Sequence, residues 1–230
     1  MIEYEHTLIR KYENFIREII NSSVRRLDFE NLENNQVRFV DKIKELFKFE
    51  SSNSWSFLTS SLNTLGDSNF AIVSFQNFNI DNGKSLNTGE KYLRLYGVLS
   101  SIYIHFRSIA TLADLVKTKS NNLEQEFKNL DISFLRNAIS AHPVNYNENK
   151  SKSNFKIARY SLNDSGMLEI INMKNEFKTY DLNKAINEYL IFSERLLHLI
   201  AQKFIINRYS SSKIKKDELL VKLENIKHSC

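Results

Sequence analysis

The sequence predicts a mainly α protein, a helical bundle carrying an inserted β-hairpin and an N-terminal helical extension. Three observations lead there. Gly 5 and Pro 1 in 230 residues leave few places to turn, which favours long helices over a many-stranded sheet. Apolar residues recur at helical spacing through long segments. Apolar and polar residues alternate on both sides of Asn163-Asp164-Ser165-Gly166, a sequence suited to a hairpin turn.

The elements follow in order. Segment 4–20 puts Leu8, Tyr12, Phe15, Ile16 and Ile19 on one helical face. Asp28 caps a second helical pattern of Leu32, Val37, Val40, Ile43, Leu46 and Phe47. Residues 51–65 read as a short helix ended by Gly66, and 70–83 as an irregular connection with short strands. The strongest pattern spans 88–117, with Leu93, Tyr96, Leu99, Ile102, Tyr103, Phe106, Ile109, Ala110 and Ala113. It is apolar over more than half its circumference and so reads as the central helix.

Asn121 or Asn122 caps a further helix reaching Ala141, with Phe127, Leu130, Phe134, Leu135 and Ala138 inward. Residues 145–154 are polar and basic, and the strands of the hairpin lie at 155–162 and 167–173. Asp181 caps a last long helix through Ile206, with Ala185, Tyr189, Phe192, Leu196, Leu199 and Ile200 inward. The tail from 210 to 228 is a basic amphipathic helix at best. No repeat and no Gly/Pro-rich linker divides the chain. The simplest organisation is a single domain over 1–230: an N-terminal extension at 1–85, a bundle at 86–208 with its hairpin near 155–173, and a basic tail at 209–230.

Composition narrows the function classes. Hydrophobic residues make up 42%, enough to bury a core. A formal charge of +5 permits an anionic partner. Cys230 is the only cysteine, so the chain can form neither an internal disulfide nor a thiolate metal cage. Residues 1–10 are charged and no apolar run is long enough to span a bilayer, so the expectation is a soluble cytoplasmic protein without a membrane partner. No HExxH, no Asp/Glu/His cluster and no glycine-rich phosphate loop occurs, so no metal and no cofactor is expected.

The chemistry concentrates in Leu135-Arg136-Asn137-Ala138-Ile139-Ser140-Ala141-His142-Pro143. A guanidinium binds phosphate as a fixed cation, and an imidazole exchanges protons near neutrality. On an ideal helix Arg136 and His142 lie roughly 120° apart at about 100° per residue. Pro143 changes this, because the residue before a proline is pushed out of the α region. The helix should end by Ala141, and His142 can then turn toward the Arg136 side. Asn137 has donors and acceptors to orient the histidine or a substrate, and Ser140 shares the arginine's face.

This arginine, polar residue and spaced histidine on a helical bundle resemble the signature of the HEPN superfamily. The likeness covers about residues 88–206 and leaves the first 85 or so outside it. It implies a metal-independent endoribonuclease, of the kind found in toxin–antitoxin or antiviral systems. It further implies a homodimer whose two motifs face one composite cleft. Carried over, Arg136 binds the scissile phosphate, His142 is the general acid or base, and Asn137 fills the polar position. One histidine per chain is short of an acid plus a base, and a two-fold dimer supplies the second. A 2′-hydroxyl nucleophile selects RNA. Some members are silenced by nucleotide transfer to a tyrosine two residues after the histidine; here Val144 stands there and the nearest tyrosine is Tyr146.

Ser140, Tyr146, Lys150 and Lys152 are the further candidates for substrate contact. Lys150, Lys152, Lys156 and Arg159 could track an RNA backbone, or they could solvate a loop and a strand edge. His105 reads as a hydrogen-bonded core histidine, with a second cleft residue as the rival reading. Tyr92, Tyr96, Tyr103 and Phe106 read as core before base-stacking platforms. Two functions stay open: an endoribonuclease under a cognate antitoxin or regulatory protein, or a non-catalytic HEPN-like module binding a protein partner or nucleotide.

Overall fold

The computed structural model describes residues 1–25, 36–81, 86–118, 122–144, 146–148, 151–163 and 165–228. Long helices dominate: α1 (Leu8–Val24), α2 (Gln36–Phe47), α3 (Ser54–Phe78), α4 (Thr88–Leu115), α7 (Leu182–Arg208) and α8 (Lys213–Lys227). Between α4 and α7 lie the short helices α5 (Leu123–Lys128) and α6 (Asp131–Leu135), then a π-helical turn (Arg136–Ala141). Five short strands follow: β1 (Tyr146–Glu148), β2 (Ser151–Ser153), β3 (Phe155–Ile157), β4 (Met167–Asn172) and β5 (Phe177–Asp181). No helix among the described residues is long and apolar enough to cross a membrane.

The chain divides into two compact units whose boundaries fall inside α3, α4 and α7. The first comprises Met1–Ile2, Ser68–His105 and Asn122–Phe192. It contains β1 to β5. β1 and β2 form an antiparallel pair with Tyr146 opposite Ser153. β3, β4 and β5 form an antiparallel sheet in that order, with Phe155 opposite Asn172 and Leu168 opposite Tyr180. Leu168, Ile170 and Tyr180 are buried. Gly166, at φ +73°, closes the β3–β4 connection in a conformation that favours glycine. A methyl group there would meet Asn183 Nδ2 at 2.5 Å. His105 on α4 is fully buried, and its Nδ1 lies 2.6 Å from the Tyr189 hydroxyl on α7.

The second unit comprises Glu3–Asp67, Phe106–Asn121 and Ser193–Cys230. The amphipathic face of α1 buries Ile9, Tyr12, Phe15, Ile16, Ile19 and Ile20. Glu13 is buried on the same helix and is matched by Arg10 at 3.0 Å and Arg17 at 2.8 Å. Phe47 of α2 meets Phe204 of α7 edge-on at 5.9 Å. Lys222 of α8 pairs with Glu18 of α1 at 2.7 Å. His198 Nδ1 lies 3.4 Å from the Tyr12 hydroxyl and its Nε2 lies 3.3 Å from Glu224, which gives this histidine a structural place.

Several local expectations change. The helix does not stop at Gly66, and 70–78 is not irregular; α3 runs unbroken to Phe78. Its buried row, Ser54, Leu58, Ser61, Leu62, Leu65, Ser68, Asn69, Ile72 and Val73, has helical spacing. Half-polar occupancy of that row hides the period from hydropathy. Gly66 gives clearance instead of a stop, since a methyl group there would sit 3.2 Å from the Glu13 carboxylate oxygens. The expected helix ending at Ala141 is broken into α5, α6 and the π turn, and the basic stretch after Pro143 supplies β1 and β2.

The first hairpin strand ends early. At Arg159–Ser161 the chain makes a 3-10 turn, because the Ser161 hydroxyl donates to Ala158 O at 2.7 Å and accepts from Glu169 N–H at 3.0 Å. β5 lies within the residues left unassigned before Asp181. Leu93 and Tyr96 face outward, because the first turns of α4 bury Leu95, Val98 and Leu99 instead. Leu199 is also partly exposed on α7. Asp28, Leu32, Asn121, Asp164 and Cys230 lie outside the described residues.

Candidate active site

The Arg136–His142 segment is anchored from beneath. Ile132, Leu135, Ala138 and Ile139 are buried, so the helical run holds its register against the core while Arg136 is half-buried. The turn is wider than an α-helix here. His142 N–H donates to Asn137 O, five residues back, at 2.9 Å. Helical geometry ends at Ala141, and His142 adopts φ −136° and ψ 45°, outside the α region as Pro143 demands. The Pro143 carbonyl then accepts from Phe155 N–H at 2.9 Å, which fixes the chain beyond the histidine to β3.

The arginine is held on two sides. Its Nη1 donates to Asn137 Oδ1 at 2.8 Å, and its guanidinium carbon lies 3.9 Å from the centre of the Tyr103 ring. A guanidinium lying over an aromatic face keeps its charge while losing rotameric freedom. Asn137 thereby orients the cation. His142 is exposed.

The remaining candidates separate. Ser140 is half-buried within the π turn. Tyr146 packs edge-on against Phe134 at 5.7 Å and Phe155 at 5.5 Å, so its ring belongs to an aromatic cluster. Lys150 lies outside the described residues. Lys152 is in β2 opposite Asn147, Lys156 is exposed on β3, and Arg159 is exposed in the 3-10 turn. His105 is withdrawn from any cleft, and burial pushes its imidazole down to about 3, so it is neutral.

Sequence reasoning missed Tyr103 as a partner of Arg136. It appears in the sequence as one more aromatic on the helical stripe of α4, and no local spacing ties it to the motif. In comparisons with family models, curated proteins and solved structures, none matches the chain.

Proposed function

We propose that this chain is a metal-independent endoribonuclease of HEPN type, working as a homodimer in a toxin or antiviral-defence role. The observation that carries the reading is a fixed, half-buried guanidinium, braced by Tyr103 and Asn137, on a turn that ends in an exposed histidine before a proline. Arg136 is suited to bind the scissile phosphate and the charge that grows on it. His142 takes the proton from the ribose 2′-hydroxyl as the 2′-oxygen to phosphorus bond forms. The phosphorus to 5′-oxygen bond breaks, and the histidine of a second copy gives a proton to the leaving 5′-oxygen. The products are a 2′,3′-cyclic phosphate and a 5′-hydroxyl. Proton transfer and charge stabilisation come from side chains, so the step calls for no metal.

The test is cleavage of total cellular RNA in EDTA by wild type, Arg136→Ala and His142→Ala. Cleavage by wild type and loss of at least about a hundredfold in each variant is expected. Activity that survives in both variants rejects the mechanism, and activity abolished by EDTA rejects its metal-free part. Expression of wild type is expected to arrest growth, with relief by His142→Ala.

A further inference from the structure

α6 and strands β3, β4 and β5 line a cleft of about 420 Å³, within the range of small-ligand sites. Its walls are aromatic. The Phe134 and Tyr180 rings stack at 5.7 Å with 27° between their planes, and Phe155 meets Phe134 edge-on at 5.4 Å. Phe177 also lines it and is 59% exposed. Among the charged groups that line it are Asp131, at the start of α6, and Lys178, whose Nζ lies 4.6 Å from the Tyr180 ring centre. Glu176, the other carboxylate of the cleft, has one oxygen engaged by Asn172 Nδ2 at 2.7 Å.

We propose that this cleft receives one unpaired guanine base of the RNA, an inference that takes its substrate from the endoribonuclease reading. The exposed Phe177 ring offers a face on which a base can stack, as single-stranded RNA is commonly recognised. The charges select which base. Guanine offers two neighbouring N–H donors beside one carbonyl acceptor, so a carboxylate takes the donor pair and an ammonium donates to the carbonyl. Uracil turns two carbonyl oxygens and a single N–H toward such a pair. The cleft is also joined to the motif at both ends. Asp131 and Phe134 precede Arg136 on the same helical run, and Phe155 is bonded to the Pro143 carbonyl directly after His142.

The test is calorimetric titration of the full chain, in EDTA, with guanosine 5′-monophosphate and uridine 5′-monophosphate. The two ligands share a phosphate, so their ratio reads the base alone. Wild type is expected to bind the guanosine nucleotide about tenfold more tightly. Asp131→Asn should abolish that preference, and Phe177→Ala should weaken both nucleotides about fivefold to tenfold. Melting temperatures near wild type show that the variants are folded. Equal affinity for the two nucleotides, binding of neither, or a preference that survives Asp131→Asn overturns the proposal. RNA cleavage without a guanine preference rejects this site alone. A guanine preference lost in Asp131→Asn, in a chain that cuts no RNA, rejects the endoribonuclease reading and leaves the guanine site standing.

Discussion

The Arg136 guanidinium sits over the Tyr103 ring with its central carbon 3.9 Å from the ring centre, although the two residues belong to different helical segments. The ring restricts where the cation can point, and such contacts contribute roughly 0.5–2 kcal/mol. On the proposed endoribonuclease reading, Tyr103→Phe keeps the aromatic face and should cleave RNA near the wild-type rate. Tyr103→Leu removes it and should slow cleavage about tenfold, equivalent to about 1.4 kcal/mol. Initial rates on a labelled RNA, with melting temperature as a folding control, decide this; a Leu variant as fast as wild type would show that the ring does not position the arginine.

His105 should make the fold acid-sensitive. Its burial lowers the imidazole from 6.5 to about 3, so below about 6.5 the unfolded chain binds a proton that the folded chain refuses. Stability from this group is therefore complete above about 6.5 and falls as pH drops toward 3, by at most about 1.4 kcal/mol per pH unit. His105→Asn keeps a hydrogen-bonding partner for the Tyr189 hydroxyl and cannot titrate. Its stability at neutral pH should be lower, and its decline between pH about 6.5 and 4 should be shallower than wild type by that one-proton share. Urea titrations across this range measure the difference; parallel curves would refute it.

Two helical glycines should respond in opposite senses to the same change. Nothing lies within 4 Å of a methyl group built on Gly97, so Gly97→Ala should stabilise by about 0.5–1 kcal/mol, raising the melting temperature by roughly 1–4 °C. A methyl group on Gly66 meets the Glu13 oxygens at 3.2 Å, and that carboxylate is tethered by Arg10 and Arg17. Gly66→Ala should bring no gain and lower the melting temperature. Scanning calorimetry of the two variants separates these outcomes.

Asp181 closes β5 and opens α7, where its Oδ1 accepts from Lys184 N–H at 2.9 Å. Asp181→Ala leaves that donor without its cap and should cost about 1 kcal/mol, whereas Asp181→Asn retains the acceptor and should cost less than half as much. Chemical denaturation at neutral pH compares the pair, and equal losses would show that the cap does not contribute.

Elements whose signal is local were legible in the sequence. The apolar stripe of α1, the Asp181 cap of α7, the long α4 pattern and the end of the helical run before Pro143 each depend on residues within a few positions of one another. α3 was legible only in part, because Ser54, Ser61, Ser68 and Asn69 occupy its buried row. β5 had too few apolar residues to announce itself: of Phe177, Lys178, Thr179, Tyr180 and Asp181, only Tyr180 is buried.

The sequence by itself determined the helical class, the place of the sheet in the chain, and the spacing and nature of Arg136, Asn137 and His142. Spacing along a helix and the steric rule at Pro143 act through neighbouring residues, so they can be read without folding the chain. Only the tertiary structure decided that Gly66 makes room for Glu13, that Tyr103 braces Arg136, and that Phe134, Phe155 and Tyr180 enclose a cleft beside Asp131 and Lys178. Each of these joins residues far apart in the chain, and such contacts exist only once packing has brought their segments together.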